Sequence, residues 1–356
     1  MIFFTPGPSQ LYPTVPGYLE TAWRSGVLSI SHRSDAFKEI YATTERNLRM
    51  LLNIPESHRI LFLSSATEAM ERIILNCVNR ASFHLINGAF SQRFFSIAEQ
   101  LNKKAKRHTS AFGAGFIANE VTVPVEAELI CVTHNETSSG VAIPMEEIYA
   151  LHRKCPDALL VVDIVSSVPY VELDYSRIDA AFCSVQKGFG LPAGLGVLIV
   201  NNQCFAKAEQ LKNSGVSIGS YHSLPELSDR AQKNQTPETP NVLGIYLLGK
   251  VCADLLTEGI DHIRVETERK AELIYTGLDA ISGLTPFVGD PKYRSRTVIV
   301  AETDRNSSEI SAKLAATGSI VGAGYGEYRE RQIRIANFPA HSVEAVKKLI
   351  SNLHSD

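Results

Sequence analysis

An α/β fold built on a mostly parallel sheet is predicted by two features of the sequence. Apolar runs of strand length recur along the first two thirds of the chain, and helix-patterned segments mostly separate them. The runs are continuous rather than alternating, which a sheet covered by helices on both faces requires. In order they are RILFL (59–63), FHLI (83–86), AELICVT (127–133), ALLVVDIV (158–165), AAFCSV (180–185) and GVLIV (196–200). ATEAMERIILNCVNR and PMEEIYALHRK carry the helical pattern between them. After QKNQTPETPNV comes a long helical stretch, then SRTVIVAET, SSEISAKLAATGS, RQIRIANF and SVEAVKKLISNLH in a different rhythm. The expected division is a large α/β unit over 15–244 and a smaller α+β unit made of 1–14 and 245–356.

Composition narrows the function. The chain has 356 residues, 44% hydrophobic, enough for a sizeable core. Its 35 Lys+Arg against 38 Asp+Glu argue against a broad nucleic-acid or anionic-membrane surface, yet leave room for a phosphate-sized pocket. The six cysteines form no CxxC pair, and no histidine cluster has zinc-finger spacing. Reduced, buried thiols and no metal are expected. No run approaches the roughly 20 apolar residues of a membrane span, and the start MIFFTPGPSQLYP lacks a basic leader pattern. The expectation is a soluble, cytoplasmic protein.

In open parallel sheets ligands lie at the carboxyl ends of the strands, so polar residues just after the apolar runs are the ones to inspect. After LFL, Ser65, Ala66 and Thr67 open a helix. They read either as an anion cradle or as an ordinary N-cap with acidic residues in the first turn. Phe90 follows FHLI and reads as a stacking ring or a core residue. In CVTHNETSSGV, Asn135, Thr137 and Ser138 could hold a ring hydroxyl or make a turn. Asp163 ends an apolar strand, where a carboxylate needs a cation or donors unless it simply caps a turn. Lys187, in CSVQKGFGLPAGLGV, reads as a surface lysine or as a desolvated nucleophile for an aldehyde. Taken together, an anion cradle, an aromatic ring, a strand-end Asp and a strand-end Lys on successive strands match what pyridoxal phosphate needs.

With TPGPSQL, SISHRSDAF, SSATEAME, NGAFSQRF, VVDIVSS, SVQKGFGLPAGLGV, QTPETPNV and IRIANFPAH in hand, the chain resembles the class V, fold-type I, pyridoxal-phosphate-dependent aminotransferases. Within them it is most similar to the phosphoserine aminotransferases. The resemblance implies Lys187 as the amine joined to the cofactor, Asp163 on its pyridine nitrogen and Thr137 near the ring hydroxyl. It further implies Ser65, Ala66, Thr67 and Gln186 at the phosphate and Phe90 over the ring, where these relatives often have Trp. Gln235 and Thr236 match an Asn-Thr pair that reaches the partner subunit's cofactor, which implies a homodimer with shared sites.

On the substrate side the resemblance implies Arg334 on the α-carboxylate and His32 with Arg33 on a side-chain phosphate. Relatives often carry a second His-Arg pair before the C-terminal arginine; GYGEYRERQIR stands there instead, with Arg329 or Arg331 as substitutes. The implied reaction converts 3-phosphohydroxypyruvate and glutamate to phosphoserine and 2-oxoglutarate, a step of serine biosynthesis. The alternative within the class is a serine– or alanine–glyoxylate aminotransferase. A cysteine desulfurase is disfavoured because no cysteine follows Cys252. A binding protein without the cofactor is disfavoured by the retained Lys187 and Asp163, and a nicotinamide dehydrogenase by the absence of G-x-G-x-x-G at SSATEAM.

Overall fold

The computed structural model describes residues 1–354. Its larger sheet has seven strands, in the order His58–Leu63, Gly196–Asn201, Ala180–Ser184, Leu159–Asp163, Leu129–Thr133, Ala81–Ile86, Lys104–Thr109. From Ala180–Ser184 to Lys104–Thr109 all neighbours are parallel. Every residue of the three central strands Leu129–Thr133, Leu159–Asp163 and Ala180–Ser184 is buried, in keeping with their continuous apolar character. Gly196–Asn201 runs antiparallel to both of its neighbours. Residues 185–195 are too few for the crossover of about a dozen residues that a parallel return needs. Lys187 therefore sits on a tight reversal at the sheet's carboxyl end.

Lys104–Thr109 was not expected, and its sequence KAKRHT explains why. It is an edge strand with one neighbour and a largely exposed face, where charges discourage pairing with another chain.

The second sheet has five strands, in the order Ile2–Phe4, Ser319–Ala323, Gln332–Ala336, Val298–Thr303, Leu284–Pro286. Only the pairing of Ile2–Phe4 with Ser319–Ala323 is parallel. Ile274, Leu278, Ile299, Ile333, Ile335, Val346 and Leu349 lie in its core, bringing helices Ile260–Asp279 and Val343–His354 against the sheet.

One expectation about the division is corrected. The long helical pattern breaks at Gly259 into Val242–Glu258 and Ile260–Asp279. The first of these does not open the smaller unit at 245: Ile245, Leu248, Val251, Cys252 and Leu255 belong to the larger core. A helix apolar on most of its circumference needs burial on most sides, and VLGIYLLGKVCADLL is such a helix. Residues of the second core begin, after Phe4, at Ala271. All six cysteines are buried and free. Among the described residues no helix is long and apolar enough to cross a membrane.

Candidate active site

Ser65, Ala66, Thr67, Phe90, Thr137, Asp163, Gln186 and Lys187 line one cavity at the carboxyl ends of the parallel strands, together with Met70, Asn135, Val165 and Ser184. Lys187 is 6% exposed. Its Nζ donates to Thr137 Oγ1 at 2.8 Å and lies 4.9 Å from the centroid of the Phe90 ring. Burial pushes the ammonium below its ordinary pKa; the Asp163 and Glu136 carboxylates oppose this, while Arg334 adds to it. The lysine does not snorkel to water. Asp163 is buried, and desolvation drives its carboxyl well above the usual range against the pull of the Val165 N–H at 2.9 Å and of Lys187.

The segment after the first strand closes over the lysine. A Cβ at Gly7 would lie 2.9 Å from Lys187 Cε, so this position tolerates no side chain without moving the lysine. Ser9 N donates to Gln186 O at 3.0 Å and Tyr12 N to Gly190 O at 2.7 Å, pinning the lysine loop from the amino-terminal side.

Helix Ala66–Cys77 supports both readings of the SSAT stretch. Ser65 Oγ accepts from Glu68 N at 3.1 Å, an ordinary N-cap. The amides of Ala66 and Thr67, in the first turn, have no acceptor within the helix, and both residues line the cavity, where the helix dipole favours an anion. Gly196 makes room for this turn, since a Cβ there would stand 2.5 Å from the Ser65 carbonyl carbon.

Glu136 is the functional-site residue that sequence reasoning missed. Its carboxylate is fully buried and caps helix Ala89–Gln100, accepting from Phe90 N at 3.1 Å, Ser91 N at 2.9 Å, Ser91 Oγ at 3.0 Å, Ser138 N at 3.1 Å and Ser138 Oγ at 2.7 Å. Phe90 lies in the first turn of this helix, so Glu136 fixes where that ring stands. The available signal was a carboxylate between two residues already singled out, Asn135 and Thr137. Glu136→Ala is expected to destabilise the fold by about 3–5 kcal/mol, because it strands several buried donors. Urea unfolding checks this, with Glu136→Gln losing less.

Arg334 joins the site from the second sheet. Its Nε donates to Ala323 O at 2.7 Å and its Nη1 to Thr137 O at 3.2 Å, and its guanidinium lies 5.5 Å from the Tyr325 ring centroid. These bonds leave Nη2 and a second Nη1 hydrogen for a carboxylate.

The remaining expected residues do not line this cavity in their own chain. Arg33 donates to Gln235 Oε1 at 2.9 Å, Thr236 O at 2.8 Å and Pro237 O at 3.0 Å. Arg33, Gln235 and Thr236 thus form one cluster, with His32 next in sequence, and none of the four borders the Lys187 cavity. Arg329 is exposed in the turn after Gly326–Tyr328, and neither it nor Arg331, whose guanidinium packs over the Tyr328 ring, borders the cavity. A basic residue in a loop carries no sequence signal for the direction of its side chain.

Pyridoxal phosphate fits this donor set. The buried carboxylate of Asp163 would meet a protonated ring nitrogen, the buried amine of Lys187 an aldehyde, and the first-turn amides a phosphate. Gln186 Oε1 is buried with no hydrogen-bond partner among the described residues, which marks the same wall as polar.

Comparisons with known proteins agree with that chemistry. The family model described as Aminotransferase class-V matches residues 2–88 and 117–326. A crystal structure of a phosphoserine aminotransferase from Cytophaga hutchinsonii ATCC 33406 is 51% identical, with a TM-score of 0.98, over 99% of this chain and 98% of that one. The curated phosphoserine aminotransferase of Rhodococcus opacus (strain B4) is 27% identical over 352 residues, 98% of this chain and 92% of that protein. An alanine–glyoxylate aminotransferase from Nostoc sp. shares the fold at 22% identity and a TM-score of 0.86, over 99% of this chain and 94% of that one. A match of this extent, over a cavity holding a buried lysine and a buried aspartate, shows that the chain belongs to the class-V aminotransferase family.

Proposed function

We propose that this enzyme transfers the amino group of glutamate to 3-phosphohydroxypyruvate, giving phosphoserine and 2-oxoglutarate, with pyridoxal phosphate as cofactor and as a homodimer. The observation that carries the reading is the buried amine of Lys187, hydrogen-bonded to Thr137, in one cavity with buried Asp163. The name of the 51% identical solved structure supports the choice of phosphoserine.

Pyridoxal phosphate, when bound, supplies an aldehyde and an electron-withdrawing ring. Lys187 supplies the amine that such an aldehyde engages and, once free, a base at its Nζ that moves the proton from the substrate Cα. Burial favours its neutral form, the form that can accept that proton. Asp163 holds a proton on the ring nitrogen, Thr137 orients Lys187, and Phe90 shields one side of the cavity from water. Arg334 binds the α-carboxylate and so aims the Cα–H bond at Lys187. Arg334→Gln is expected to raise KM for glutamate and for phosphoserine by about 10- to 100-fold, the loss of a charge-assisted pair, with a smaller change in kcat. Steady-state kinetics with both donors check this.

The cluster of His32, Arg33, Gln235 and Thr236, lying off its own chain's cavity, suits a role in the partner's site. A second reading has one observation in its favour. The Arg33 guanidinium is engaged by three oxygens within its own chain, and Arg329 is exposed. A substrate with a small uncharged side chain, as in alanine– or serine–glyoxylate transamination, needs neither. Half-reaction spectroscopy separates the two. L-Phosphoserine and glutamate are expected to bleach the visible band of the loaded enzyme; bleaching by alanine or serine, with phosphoserine inert, selects the second reading.

A further inference from the structure

Beside the cradle lies an ionic triad, centred on a buried imidazole, that the proposed chemistry does not use. His222 Nδ1 meets Glu68 Oε1, and its Nε2 meets Glu238 Oε2 at 2.8 Å, with the imidazole side chain 5% exposed. A carboxylate on each ring nitrogen requires both nitrogens to carry hydrogen, so the ring is an imidazolium. Glu68 is the third residue of helix Ala66–Cys77, one position past Thr67. Its other oxygen accepts from Ser64 N at 2.8 Å and Ser64 Oγ at 2.6 Å, which pins the carboxylate against the turn that forms the cradle. A fixed negative charge at that place opposes a phosphate dianion.

We propose that His222 sets the affinity of the Ser65–Thr67 cradle for a phosphate dianion by cancelling the charge of Glu68. This rests on the reading that the cradle holds the cofactor's phosphate. The same cation holds Glu238, whose carbonyl accepts from Thr236 Oγ1 at 2.7 Å, so it also ties the 235–238 segment to the cradle. Arg33 holds that segment from its other side. His222 is thus a positioning residue acting through Glu68 and Glu238.

Charged and titratable groups around the ring are Glu68 from helix Ala66–Cys77, Glu238 from the 235–241 loop and the adjoining Tyr221 ring. His32 and Tyr41 feel the field of Glu238 beyond it. Burial alone would lower the His222 pKa, but hydrogen bonds to Glu238 and Glu68 outweigh it and carry it up to about 9. For Glu68, burial is outweighed by the bonds from His222 and Ser64, which bring it down to about 2. His222 and Glu68 therefore both carry their charges throughout the neutral range.

The test measures binding of pyridoxal 5′-phosphate and of pyridoxal, which lacks the phosphate, to the apoenzyme. Wild type is expected to prefer pyridoxal 5′-phosphate, and His222→Gln to reduce that preference about tenfold, an electrostatic loss of about one pKa unit's worth of energy. Adding Glu68→Gln to His222→Gln is expected to restore the preference, which a merely structural defect would not do. Wild type alone gives a second readout. The phosphate is a dianion well above its second pKa of about 6, so the preference should stay flat at neutral pH and fall as pH rises through about 9, where His222 loses its proton. The ratio of the two affinities isolates this from Lys187, which affects both probes alike. An unchanged preference in His222→Gln, an equal loss for both probes, or no recovery in the double variant overturns the proposal. Should His222→Gln fail to fold, a wild-type preference that is flat through pH 9 does so. Wild type that binds neither probe removes the cofactor reading itself, a distinct result.

Discussion

The Lys187→Ala enzyme is expected to turn over at least about 1,000-fold more slowly in both half-reactions, because the substitution removes the amine that joins the aldehyde and the base that moves the Cα proton. Borohydride reduction followed by peptide mapping should place the cofactor on Lys187 in wild type and nowhere in the variant. Stability should move the other way. A buried ammonium is a costly arrangement even with the Asp163 and Glu136 carboxylates near it, and burial already pushes Lys187 toward neutrality. The apo variant is therefore expected to melt no lower than wild-type apoenzyme, a trade of stability for reactivity. Single-turnover kinetics and calorimetry on one preparation check both halves. A full-speed variant would remove the base of the whole mechanism.

Asp163→Asn is expected to cut kcat by roughly 1,000-fold, with KM little changed, since asparagine keeps the shape but cannot hold a proton on the ring nitrogen. Asp163→Glu should recover part of the loss. The apoenzyme gives an independent readout through pH. Asp163 has its folded pKa raised above the unfolded 3.8, so between those two values the folded state binds the extra proton. Stability from this group is present at low pH and is lost as pH climbs through that window. The melting temperature of Asp163→Asn apoenzyme should lack this downward slope, and the gap between variant and wild type should widen in the variant's favour toward neutral pH.

Much of the site could be read from sequence because a strand-end polar residue following an apolar run has few places to go. Asp163 and Lys187 were legible for that reason, and the parallel sheet places both at its carboxyl end. Ser65, Ala66 and Thr67 were legible as a helix start whatever else they do. Glu136 was not, since its role depends on the first turn of a helix, with Phe90 46 positions earlier in sequence, and a carboxylate among Thr and Ser reads as a turn. Nor was the destination of Arg33, which is set by a loop 202 positions away. The edge strand Lys104–Thr109 lacks the apolar run that marks its neighbours. His222 carries no local pattern at all, and its two carboxylates come from positions 154 and 16 residues distant in sequence.

The strand Ile2–Phe4 pairs with Ser319–Ala323, and the residues just after it close over Lys187. On a ribosome Ile2–Phe4 emerges well before Ser319–Ala323, the strand that anchors it. Those residues stay unpaired until Ser319–Ala323 has been made. The pocket floor can form from the central strands before that point, whereas its roof cannot, and such sequence-distant closure is slow.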